Sequence, residues 1–108
     1  MDREKLDNLH DLTGRVAIIT GGTRGIGKAI AEGFGVAGAK IAVASRKADA
    51  CDAMVTHLAE MGIEAIGVPT HMGDLDSISA LVDETVAAFG RIDIVVNSIP
   101  EELALTRL

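Results

Sequence analysis

Short apolar runs alternate with longer stretches of helical periodicity along this chain. Residues 15–20, RVAIIT, are rich in β-branched side chains and lie between Gly14 and Gly21, which predicts a buried strand. Ile26, Ile30, Phe34 and Ala37 then recur at helical spacing, with Gly38 placed to end the helix. Residues 40–44 predict a second strand. Cys51, Met54, Val55 and Leu58 mark a second helix that ends near Gly62. Residues 64–68 predict a third strand, stopped by Pro69. Ile78, Leu81, Val82, Thr85, Val86 and Phe89 form the cleanest helical stripe of the chain, followed by Gly90, and Asp74 and Asp76 are placed to cap that helix. Residues 92–97 predict a fourth strand.

Strands that alternate with helices through short connections imply an α/β fold with a parallel sheet and crossover helices. Right-handed crossovers run the first three strands outward in the order 3-2-1. In a doubly wound sheet the fourth strand returns to the other side of the first, giving 3-2-1-4 with helices on both faces. The first two helices then share one face and the third lies alone on the other. Residues 1–11 read as a variable lead-in, with a short helix through Leu6 and Leu9. Residues 12–97 form the half-domain, and 98–108 a divergent tail.

Composition narrows the picture. The chain has 108 residues, 48% of them hydrophobic, with Phe34 and Phe89 the only aromatics, so its core must be aliphatic. A net charge of −6 argues against nucleic acid or an anionic membrane as a general partner. Cys51 is the only cysteine, which excludes an internal disulfide and suits a buried thiol. No apolar run approaches the roughly 20 residues of a membrane helix. The charged start MDREKLDNLHDL is unlike a secretory signal, so the expected location is the cytoplasm.

The candidate chemistry lies in TGGTRGIG, residues 20–27, between the first strand and the first helix. A strand that turns directly into a helix aims the free N–H groups of the helix, and its dipole, at the turn, where they favour a phosphate. Gly21 permits the turn, Gly25 leaves room for a pyrophosphate, and Gly27 allows close packing of the helix. The hydroxyls of Thr20 and Thr23 are placed for local hydrogen bonds. With VAII before it and DLTGR upstream, this stretch resembles the opening of the short-chain dehydrogenase/reductase family. The resemblance continues through IAVASRKADAC to FGRIDIVVN, from Asp11 to Asn97. It implies a partial Rossmann fold, a nucleotide cofactor, and NAD(P)-dependent hydride transfer in the parent family. The cofactor-contacting positions it implies are Gly21, Thr23, Arg24, Gly25, Ile26, Gly27, Ser45, Arg46, His71, Met72 and Asn97.

The second strand ends in Ala44-Ser45-Arg46-Lys47, with no carboxylate until Asp49. An acidic residue there binds the 2′-hydroxyl of NAD, whereas arginine suits the 2′-phosphate of NADP. Arg46, with Arg24 from the glycine loop, therefore favours NADP over NAD, the alternative being that these are solvated surface charges. Where the family often has an Asp that contacts adenine, followed by an apolar residue, this chain has His71-Met72. His71 is either a base-contacting side chain or a loop histidine without a role. His10 and His57 read as surface residues, and Asn97 matches the first asparagine of the family's turn after the fourth strand.

In the family a tyrosine and a lysine four residues later carry the chemistry, the tyrosine as general acid or base. This chain contains no tyrosine, and no catalytic residue is assigned. Beyond Asn97 it departs from the family pattern as SIPEELALTRL, where Ser98 to Glu101 resembles a capping box and Leu103 and Leu105 suit a short helix. The expectation is a truncated NADP(H)-dependent oxidoreductase that keeps dinucleotide binding and is inactive alone. The alternatives are an interaction module, or half of a split enzyme, docking a second copy or another chain through an open fourth strand.

Overall fold

The computed structural model describes residues 11–98. The expected helices near Leu6 and near Leu103, and the expected capping box Ser98 to Glu101 beyond its first residue, lie outside these residues. Four parallel strands, β1 (Val16–Thr20), β2 (Lys40–Ser45), β3 (Ala65–Pro69) and β4 (Ile94–Asn97), form one sheet in the order β3-β2-β1-β4. Between them run α1 (Gly25–Val36), α2 (Ala48–Glu60) and α3 (Leu75–Phe89). This is the predicted α/β Rossmann arrangement, with boundaries shifted by one or two residues.

The alternation of side chains along the strands sorts the core into two layers. Ala17, Ile19, Ile41 and Val43 face α1 and α2 and pack with Ala31, Met54, Leu58 and Ile63. Ile18, Ala42, Ala44 and Val68 face the opposite way and pack with Leu81 of α3. Every residue of β1 is buried because both faces of the central strand are covered, which is why it reads as a continuous apolar run. Helix α3 lies over β3 and β2. Val95 of β4, which pairs with Ile18 and so shares its face, therefore stays 65% exposed, with Val82 and Val86 of α3 also exposed.

Pro69 belongs to β3, where the sequence expectation placed it as a stop. Pro69 pairs with Ser45, and the next hydrogen bond to β2 is donated by Thr70 N–H to the Ser45 carbonyl, 2.8 Å. The nitrogen of Pro69 faces the free side of an edge strand, where a missing donor costs nothing. Asp74 caps α3 as expected, accepting from Asp76 N–H at 2.9 Å. Two expectations are corrected. Ile26 does not join the buried stripe of α1 but is 75% exposed, because Gly27, Ile30, Ala31 and Phe34 form the inner face. His57 is not a partnerless surface residue: its Nε2 lies 2.7 Å from a Glu32 carboxylate oxygen and ties α2 to α1.

Candidate nucleotide-binding site

All four strands end along one edge, and a row of backbone hydrogen bonds holds that edge together. Ser98 N–H donates to the Thr20 carbonyl (3.2 Å), Gly21 N–H to the Ala44 carbonyl (2.8 Å), and Thr70 N–H to the Ser45 carbonyl. The glycine loop after β1, Ser45 at the end of β2 with Arg46 after it, His71 and Met72 after β3, and Asn97 at the end of β4 are thus brought to the carboxyl edge. In open α/β sheets that edge is where ligands bind. Thr20 Oγ1 donates to Asn97 Oδ1 at 2.7 Å, joining the central strand to its neighbour at the rim.

The loop is built on backbone conformations that side chains disfavour. Gly21 (φ 69°) and Gly25 (φ 61°) both sit in the left-handed region. Gly27 is required for a different reason. A Cβ there would overlap the carbonyl oxygen of Gly21 and lie 2.8 Å from its carbonyl carbon and 3.1 Å from Gly22 Cα. The close packing at Gly27 is therefore helix against loop. Gly22 is a requirement that the sequence reading missed: its Cβ would meet Val43 Cγ1 and the Ile19 carbonyl oxygen, both at 3.0 Å. At Gly25, by contrast, a Cβ would enter open space.

Helix α1 begins without a cap of its own. Arg24 occupies the cap position in an extended conformation and makes no side-chain cap bond. The first helical bond is donated by Lys28 to the Arg24 carbonyl, at 3.3 Å. The N–H groups of Gly25, Ile26 and Gly27 precede it and have no carbonyl behind them in the helix. No acidic residue lies in this first turn, unlike α3, where Asp74 and Asp76 cap and charge the helix start. Uncapped donors, open space at Gly25 and a helix dipole make a cradle that fits a diphosphate. Thr23 is half-buried in the loop, and Ile26 stands exposed at its mouth.

Beside the loop, Ser45 fixes the next turn. Its hydroxyl accepts from Lys47 N–H (3.4 Å), and its carbonyl takes Thr70 N–H and, at 3.8 Å, the Cys51 thiol. Cys51 is wholly buried, and burial pushes its thiol above the usual pKa. Arg46 projects from the turn and is exposed, and among the described residues neither Arg46 nor Arg24 makes an ion pair. His71 is exposed and held by two bonds: its N–H donates to Ser77 Oγ (2.8 Å) and its Nδ1 accepts from Gly73 N–H (3.0 Å). Met72 is 45% exposed beside it. At the opposite edge, Asp93 accepts from Val16 N–H (2.9 Å) and pairs with Arg91 and Arg15, a clamp the sequence reading did not find. The Arg91 side chain, then the Val16 N–H, hold the Asp93 carboxyl below its usual pKa.

The matches to known proteins agree with this geometry. The short chain dehydrogenase family profile matches residues 15–99. The chain is 45% identical over 85 residues to the short-chain dehydrogenase/reductase SDRA of Arabidopsis thaliana, covering 79% of this chain and 34% of that protein. It is 42% identical over 85 residues to tropinone reductase-like 3 of Erythroxylum coca, covering 79% of this chain and 33% of the relative. Among solved structures, a 7α-hydroxysteroid dehydrogenase complexed with NADH and 7-oxo glycochenodeoxycholic acid superposes with a TM-score of 0.83 and 37% identity, over 90% of this chain and 37% of that one. A metagenomic short-chain oxidoreductase in complex with NADP superposes with a TM-score of 0.72 and 34% identity, over 78% and 38% of the two chains. The chain thus spans about a third of the length of the curated relatives it matches. Sheet order, glycine loop and sequence agree, and the chain belongs to the short-chain dehydrogenase family.

Proposed function

We propose that this chain is the dinucleotide-binding part of an NADP(H)-dependent short-chain oxidoreductase, and that hydride transfer needs groups outside these 108 residues. The observation that carries the cofactor preference is the end of β2, where Ser45 and the exposed Arg46 stand where a carboxylate would serve NAD. The bound dinucleotide would supply or accept hydride. The residues here would hold its diphosphate on the amides of Gly25, Ile26 and Gly27, and its 2′-phosphate on Arg46, with Arg24 close in sequence to the same cradle. No tyrosine is present to act as proton donor or acceptor in the manner of the family. The buried, unpaired Cys51 suits the reducing cytoplasm. Among the described residues no helix is long and apolar enough to cross a membrane.

A second reading is favoured by one feature. The outer edge of β4 has no partner strand among the described residues, and Val95 on it is 65% exposed. Such an edge suits docking of further polypeptide, whether a second copy or another chain. Calorimetry with NADPH and NADH separates the two readings. A charge-assisted hydrogen bond contributes roughly 1.5–3 kcal/mol. NADPH is therefore expected to bind about ten- to hundredfold more tightly than NADH, and Arg46→Asp to erase the difference. Equal affinities in the unaltered chain would contradict the NADP assignment. No nucleotide binding by a folded chain would favour docking through β4.

A further inference from the structure

We propose that His71 reads the nucleotide base as a hydrogen-bond donor, so that this site accepts a 6-oxo purine at least as well as adenine. The inference rests on the dinucleotide reading above and adds its base specificity. Along the carboxyl edge the order of contacts is the α1 N-terminus beside β1, then Ser45 and Arg46 at β2, then His71 at β3. Thr70 N–H is bonded to the Ser45 carbonyl, so His71 begins where β3 leaves β2. A nucleotide with its phosphates on the loop and its ribose at β2 runs toward β3, and its base arrives at His71 and Met72.

The hydrogen bonds around the ring decide what it can offer. Gly73 N–H lies 3.0 Å from Nδ1, and a backbone N–H only donates. Nδ1 must therefore be the bare, accepting nitrogen, which puts the proton of the neutral ring on Nε2. The backbone of His71 is anchored as well, through its bond to Ser77 Oγ. The ring is seated against Gly73, where even a Cβ would lie 3.0 Å from Cε1. The exposed ring therefore presents an N–H, with its accepting nitrogen already in use.

Adenine carries a donating amino group at position 6, whereas guanine and hypoxanthine carry an accepting oxygen there. An Nε2–H opposite the amino group sets donor against donor and makes no bond. Opposite the 6-oxo group it makes one. With the edge that carries position 6 and N7 facing His71, N7 accepts in both kinds of purine, so through that edge adenine is tolerated without being selected. A carboxylate at residue 71 would do the reverse, accepting from the amino group and repelling the oxygen.

The test is calorimetric titration of the full chain with adenosine 2′,5′-bisphosphate and inosine 2′,5′-bisphosphate, which share the phosphates and ribose and differ at the base. The expected result is inosine binding within threefold of adenosine, or more tightly. His71→Asp, a change at an exposed position, is expected to shift the ratio about tenfold toward adenosine. Adenosine favoured threefold or more in the unaltered chain, or a ratio unchanged by His71→Asp, would overturn the proposal while the cofactor reading stands. Failure of both nucleotides to bind would overturn the cofactor reading and this proposal with it. Nitrogen chemical shifts of the neutral His71 ring give a readout independent of binding: a proton on Nε2 is expected, and a proton on Nδ1 would also overturn the proposal.

Discussion

Replacing Gly25 by valine is expected to abolish dinucleotide binding while leaving the chain folded, whereas replacing Gly27 by alanine is expected to damage both binding and stability. The two glycines lie two residues apart in one loop and fail for different reasons. At Gly27 a single Cβ runs into the backbone of Gly21 and Gly22, which no rotamer change relieves. Either α1 moves away from the loop or the loop opens, and overpacking of this kind costs typically about 1–3 kcal/mol. At Gly25 the space beyond the backbone is open, so the structural cost is that of a β-branched side chain at φ 61°, at least about 1–2 kcal/mol. The added bulk then occupies the place a diphosphate needs against the helix amides. Binding should weaken by at least about a hundredfold for either variant, the loss of two or more charge-assisted bonds. Urea denaturation beside NADPH titration separates the two effects. A Gly27→Ala variant with unchanged denaturation midpoint and affinity would show that the loop is not packed as described.

The largest effect on stability alone is expected from Leu58→Ala. Leu58 is fully buried and belongs to the layer that joins α2 to β1 and β2, with Ile19, Ile41, Val43 and Met54. It is one of the largest side chains wholly removed from solvent, in a core without a single buried aromatic ring. Truncating a buried leucine costs about 2–5 kcal/mol, depending on how far the cavity collapses. A domain has about 5–15 kcal/mol in total. The urea midpoint should fall sharply with little change in slope, and an unchanged midpoint would contradict the assignment of this layer as the main core.

Most of the fold was legible because its signals are local. The apolar runs, the helical stripes and the glycines that end the helices alternate with short spacing, and handedness then leaves little choice of sheet order. What escaped the sequence depends on contacts between distant residues. Asp93 fell within the expected fourth strand, yet it lies just before β4 and closes the start of β1 over a separation of 77 residues. His57 lacks a neighbouring partner in sequence, and Glu32 reaches it only because α1 and α2 lie side by side. Ile26 fitted the helical period, but the period does not say which turn of a helix overhangs the end of the sheet. Gly22 carries no signal of its own in the sequence, and its need to be small appears only when Ile19 and Val43 are placed beneath it. At the proposed site, the glycine loop between β1 and α1 and the position of Arg46 just after β2 were readable from the sequence. The donor character of His71 was not, since it depends on the amide of Gly73 folding back onto the ring.

The central claim is that the carboxyl edge, with α1's first turn and the end of β2, holds an NADP dinucleotide. Hydrogen–deuterium exchange of the chain with and without saturating NADPH tests it most directly. Protection is expected at Gly25, Ile26 and Gly27 and at Arg46 and Lys47, and none at the opposite edge around Gly14, Gly62 and Arg91. Protection confined to β4 or to the opposite edge, or none at all in a folded chain, would contradict it.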